Sequence, residues 1–206
     1  MPLYEPIFEA LNARGVRYLV VGGLAVVLHG YARLTVDLDL MNDPTPEESL
    51  KAVTAPADLG FRPRLPVEPE AFADPRQRRD WVQNRNLRVF SMFDPTDPLR
   101  EVDLFVDEPM PFEELWARSV EMPLATTTVR VISRRDLIEM KRMAGRARDH
   151  RRRSIVTDDA DRPEEGWKEQ SQRAIARGTT PARRLAWLEE AVRIAHQSGA
   201  LARARA

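Results

Sequence analysis

The chain has 206 residues, an apolar fraction of 43% and a formal net charge of zero, enough for one good core or a domain with an appendage. Balanced charge argues against a protein that coats nucleic acid indiscriminately, although local basic patches remain compatible with it. No cysteine is present, which excludes disulfides and thiolate metal sites and suits a reducing cytoplasm. No basic stretch followed by an apolar run reads as a signal peptide, and the longest apolar stretch, Tyr18 to Leu28, is far shorter than the roughly 20 residues that span a bilayer. The expectation is a soluble, cytoplasmic protein.

In chain order, "YEPIFEALNARG" carries Ile7, Phe8 and Leu11 on one face and ends on Gly15, which predicts a short amphipathic helix. "VRYLVV" predicts one buried strand. Gly22 and Gly23 then turn the chain into "LAVVLHGY", a buried helix closed by Gly30. "TVDLDLM" predicts a strand with Asp37 and Asp39 on one face, and Pro44 and Pro46 lead a helix ending near Gly60. Residues 61 to 85, rich in proline and arginine, resist assignment. "LRVFSMF" and "LREVDLFV" alternate well and are joined by "DPTDP", so they read as neighbouring strands. "PFEELWARS" reads as a helix, "VRVIS" as a strand, and "SRRDLIEMKRMAGRARD" as a helix capped by Ser133. Interleaved helices and strands predict an α+β domain over residues 1–153, a mixed sheet flanked by helices. An acidic linker over 154–166 and a helical segment over 167–206 follow.

The chemistry centres on the acidic strand. Side chains two apart on a strand share a face and lie roughly 7 Å apart, so Asp37 and Asp39 repel unless something relieves the charge. A strand, a Gly-Gly turn and a helix N-terminus just before them gather free N–H groups where an anion can approach. An anion cradle beside two carboxylates makes sense with a divalent cation between them, and Mg²⁺ favours carboxylate plus phosphate oxygens. "REVDLFV" offers a third carboxylate. Glu101 and Asp103 share a face, and Asp103 is preferred because it lies nearer the middle of the apolar alternation. Arg33 and Thr35, entering the acidic strand, are candidates to reach a phosphate or base.

These residues resemble the DNA polymerase β-like nucleotidyltransferase superfamily, whose signature is "GG" followed by "DLDL" and a later strand aspartate. More narrowly, "VGGLAVVLHGYARLTVDLDL", "REVDLF" and "RDLIEMKRMAGRARD" resemble the AbiEii/AbiGii type of nucleotidyltransferase found in bacterial toxin–antitoxin systems, over about residues 3 to 150. The resemblance implies a nucleotidyltransferase-like fold and Mg²⁺-dependent transfer of a nucleoside monophosphate from an NTP to a hydroxyl, with two ions. Gly22 and Gly23 would be the glycine motif, Asp37, Asp39 and Asp103 the catalytic metal ligands, Lys141 a nucleotide-phosphate contact and Asp149 a late acidic position of the site. The acceptor it implies is a tRNA 3′ end, a protein hydroxyl or a small molecule such as an aminoglycoside, and an antitoxin protein is an implied partner. After Asp149, "HRRRSIVTDDADRPEEG" departs from the family's apolar helix.

Plainer readings stand beside these. The plainer reading of Asp37 and Asp39 is a half-exposed edge strand with its polar face in water. A catalytically silent, NTP- or partner-binding module fits the same motifs. His29 on an apolar helix reads as a packed, hydrogen-bonded histidine. Trp81 and Arg85 are candidates to stack on a base, but a buried tryptophan is the commoner case. Arg134 to Arg153 reads as a solvated helix face or a track for RNA backbone. The tail "GTTPARRLAWLEEAVRIAHQSGAL" predicts a helix capped by Thr180, with Pro181 in its first turn and Gly199 at its end. Its stripe of Leu185, Leu188, Val192 and Ala195, broadened by Trp187, Ala191 and Ile194, needs a cover: its own domain, a second copy or a partner. It resembles the small helical proteins encoded beside such transferases, which implies a restraint on the active site; ordinary core completion is the plainer expectation.

Overall fold

The computed structural model describes residues 2–144 and 179–201. The helices predicted from glycine and cap signals form where expected. α1 spans Glu5–Ala13 and is followed by Gly15 at φ +63°; α3 spans Pro46–Asp58, with Thr45 Oγ1 accepting from Glu48 N and Gly60 at φ +92°. α2 runs Gly22–Leu28, so the two glycines are its first residues rather than a turn ahead of it. α5 spans Phe112–Arg118 and α6 Arg134–Met143, capped by Ser133.

Seven strands build one mixed sheet: β1 Tyr18–Val20, β2 Leu38–Asn42, β3 Arg62–Pro63, β4 Val89–Asp94, β5 Asp97–Phe105, β6 Val120–Pro123 and β7 Thr128–Val131, in the order β3-β4-β5-β2-β1-β7-β6. β2 runs antiparallel to β1 and parallel to β5, and β7 runs parallel to β1. Helices flank this sheet, as the α+β expectation required. β3 and β6 are additions to the predicted set. They are the two sheet edges, short and closed by Pro63 and Pro123, where proline is tolerated because one side of the strand has no ladder to fill.

The unassigned segment 61–85 folds as β3, a 3₁₀ turn over Pro69–Ala73 and α4 over Pro75–Arg85, capped by the Asp74 side chain. What fixes it is aromatic. Trp81 stacks on Phe90 of β4 at 5.4 Å and Phe72 meets the same ring at 5.2 Å, all three fully buried. Trp81 is therefore a core residue, not a base-stacking one.

The tail forms α7, Pro181–Gln197, with the predicted Thr180 cap and Gly199 at φ +72°. It packs on α2 and β6, and Leu185, Leu188 and Val192 join the main core. The covered stripe is narrower than expected: Trp187 and Ile194 stay 47% and 58% exposed. The predicted linker 154–166 and the basic run 145–153 lie outside the described residues. No helix among the described residues is long and apolar enough to cross a membrane.

Candidate active site

Across β4, β5 and the start of β2 burial alternates. Leu38, Leu40, Phe90, Met92, Val102 and Leu104 fill the core face, while Asp39, Ser91 and Asp103 share the other, half-open face. Register fixes their proximity: Asp39 lies directly beside Asp103 on β5, and Asp103 beside Ser91 on β4. Neighbouring strands are about 5 Å apart, so the two carboxylates are held side by side by the backbone ladder itself. Asp37 falls just ahead of β2, outside the strand in which the sequence placed it, and close enough to Glu101 for that charge to act on its carboxyl.

The Gly-Gly stretch serves Asp39 directly. Gly22 takes φ +59°, a conformation costly for any residue with a side chain, and a methyl group there would overlap Asp39 Oδ2. Gly23 N donates to Asp39 Oδ2 at 3.3 Å, and a methyl group at Gly23 would run into the Thr35 hydroxyl. The first turn of α2 thus receives a carboxylate of its own chain, where the sequence suggested an open anion cradle. Thr35 is buried against Gly23, and Arg33 lies close enough to Asp37 for its charge to act on that carboxyl.

Glu101 and Asp103 separate by their partners. Arg64 clamps Glu101 with two hydrogen bonds of 2.6 and 2.7 Å while stacking over Phe93, so Glu101 already has a cationic partner. Asp103 Oδ1 is buried with no hydrogen-bond partner. Burial pushes the Asp103 carboxyl up to about 7, the charges of Asp39, Glu101 and Asp37 add to this, and the Ser91 hydroxyl opposes it. Asp37, though its outer edge meets solvent, is also raised, by the chain packed around it and by Glu101, with Arg33 pulling the other way. The preference for Asp103 over Glu101 thus gains a reason that spacing alone did not supply.

An orphaned carboxylate oxygen beside a second carboxylate is a donor set that a hard divalent cation takes, and the pair fits Mg²⁺ in kind. Among the described residues no three His, Asp or Glu side chains form a metal-holding group as they stand; Asp39 is engaged at Gly23 and Glu101 at Arg64.

Lys141 occupies the last turn of α6, half-buried. Asp149 lies outside the described residues. His29 is, as expected, a packed histidine: its Nε2 pairs with the Ile132 carbonyl at 2.7 Å, and burial lowers its pKa. Ser91 went unremarked in the sequence, although a lone polar residue inside "VFSMF" opposite "VDLF" was its signal.

No protein-family model matches the chain, and no curated protein matches it. Among solved structures, the chain is similar to a solution structure of the antibiotic-resistance factor ANT(2'')-Ia, with 15% identity, TM-score 0.45, and 95% of this chain and 92% of that one covered. It is also similar to a crystal structure of ANT(2'')-Ia in complex with adenylyl-2''-tobramycin, with 16% identity, TM-score 0.44, and 94% and 97% covered.

Proposed function

We propose that the chain is a nucleotidyltransferase that moves a nucleoside monophosphate from an NTP to a hydroxyl acceptor in a reaction dependent on Mg²⁺. The observation that carries this reading is Asp39 set in register beside Asp103, whose buried Oδ1 lacks any partner. Asp37, Asp39 and Asp103 would hold the cation, with Glu101 excluded by its arginine clamp. When bound, a divalent cation supplies the positive charge that the transferring phosphoryl group and departing pyrophosphate require.

The chain's own work is positioning. Gly22 and Gly23 set the orientation of the Asp39 carboxylate, Arg33 and Thr35 are assigned to a phosphate or base, and Lys141 is assigned to a nucleotide phosphate. Asp103 takes the proton of the acceptor hydroxyl as its oxygen bonds to the α-phosphorus and the bond from phosphorus to pyrophosphate breaks. By the sequence resemblance the acceptor is a tRNA 3′ end or a protein hydroxyl, the activity of a toxin-like enzyme restrained by an antitoxin. A small hydroxylated molecule of the aminoglycoside type is the alternative acceptor.

The test incubates the full chain with each α-labelled NTP, Mg²⁺ and, in separate arms, total tRNA, cell protein and an aminoglycoside. Label in one arm supports the reading and names the acceptor class. Nucleotide binding without label transfer in any arm would make the protein a silent binding module.

A further inference from the structure

The tail helix and the acidic loop are connected through one residue, Tyr4. On one side, Glu189 of α7, itself only 8% exposed, accepts from the backbone N–H groups of Leu3 at 2.8 Å and Tyr4 at 3.1 Å. On the other, the Tyr4 hydroxyl donates to the Val36 carbonyl at 3.0 Å, with the Thr35 carbonyl at 3.4 Å. Those two carbonyls belong to the residues immediately before Asp37, and Thr35 is the residue packed on Gly23. The Tyr4 ring is fully buried, so the connection is braced along its length by core packing.

From this geometry we infer that Tyr4 and Glu189 are positioning residues: the C-terminal helix grips the start of the chain so that the Tyr4 hydroxyl holds the Thr35–Val36 backbone and aims Asp37 toward Asp39 and Asp103. The inference rests on reading those carboxylates as the reacting centre. α7 is then a support of the site, not a restraint on it. Burial first, then the charges of Glu189 and Asp37, drive the Tyr4 phenol far above its usual pKa, so the hydroxyl keeps the proton it donates.

The test compares full-length Tyr4→Phe, Glu189→Ala and Glu189→Gln with the unchanged chain by hydrogen exchange of the amides of residues 33–39 and by Mn²⁺ affinity read by electron spin resonance. Tyr4→Phe removes only the hydroxyl; exchange in the loop should rise about fivefold and Mn²⁺ bind about fivefold more weakly, the loss of one net hydrogen bond. Glu189→Ala should reproduce both effects from a distance, and Glu189→Gln, whose amide oxygen still accepts from both N–H groups, should restore most of each. If Tyr4→Phe leaves loop exchange unchanged, the support idea is overturned. If Glu189→Ala lowers the melting temperature without changing loop exchange, the part assigned to α7 is overturned. If the unchanged chain does not bind Mn²⁺, the proposed function fails, while loop exchange still decides the support.

Discussion

Asp103 on β5 and Asp136 on α6 are both carboxylates drawn into the protein, and their surroundings treat them in opposite ways. Asp136, 3% exposed in the first turn of α6, receives Arg118 Nε at 3.0 and 3.2 Å and the Ser133 hydroxyl at 2.7 Å. Burial pushes its pKa up, but the Arg118 and Ser133 hydrogen bonds outweigh that and hold it below the usual carboxylate range. Asp103 has the Ser91 hydroxyl, three like charges around it and an oxygen with no partner. A carboxylate whose lone pairs are all taken secures a fold, whereas one left short of partners in a half-open face is spare capacity for a ligand.

The largest expected effect lies on the unsatisfied side. Asp39→Asn should lower kcat for nucleotidyl transfer by about 10³-fold or more while the fold persists, since it removes charge from a repelling cluster. Full Mg²⁺-dependent activity in this variant would break the contrast at its root. Gly22→Ala comes next: positive φ and the overlap with Asp39 should cost ~2–3 kcal/mol in urea unfolding and displace the carboxylate, abolishing most activity. An active, undestabilised Gly22→Ala would mean that the close approach is dispensable.

The carboxylates are further separated by pH, with opposite signs. Asp136 is more acidic folded than its ordinary 3.8, so its stabilisation is present above about pH 4 and lost as pH falls through the folded value; Asp136→Asn should cost ~1–2 kcal/mol at pH 7, discounted because Arg118 is partly exposed, and progressively less below pH 4. Asp103 is less acidic folded, about 7 against 3.8, so the metal-free fold loses stability as pH rises between those values. Asp103→Asn should match the unchanged chain at pH 4 and exceed it by ~1–2 kcal/mol at pH 8. Thermal melts of both variants across this range check the pair, and parallel curves would show that the two sites are not different in kind.

Much of this contrast was legible in the chain. Gly15, Gly60 and Gly199 mark helix ends because positive φ leaves few alternatives, and the alternation of "LREVDLF" marks β5. The missed strands, β3 and β6, are edges: with one ladder and little burial, nothing imposes a period-two pattern on "RP" or "VEMP". Whereas Asp37 falls just ahead of β2, Asp39 and Asp103 were readable as neighbours through spacing and order. The clamp of Arg64 on Glu101 and the grip of Glu189 on Leu3 and Tyr4 were not, since partners so far apart in sequence, some of them backbone atoms, leave no local signature.

The smallest effect falls on α6, whose first turn carries the satisfied carboxylate and whose last turn carries Lys141. Lys141→Ala should raise the KM for NTP severalfold with Mn²⁺ affinity and melting temperature unchanged, as expected for a lost phosphate contact. Unchanged kinetics would return the whole helix to the structural side of the comparison.

The grip of Glu189 on Leu3 spans 186 positions in the sequence. Joining points that far apart carries a closure entropy that grows as the logarithm of the loop, and it is met late, after nearer contacts such as the β4–β5 hairpin have formed. On a ribosome, the first residues of this chain must wait, with Tyr4 lacking its final partner, until α7 has been synthesised. The two hydrogen bonds that seat Leu3 and Tyr4 therefore close only once the last described helix is present.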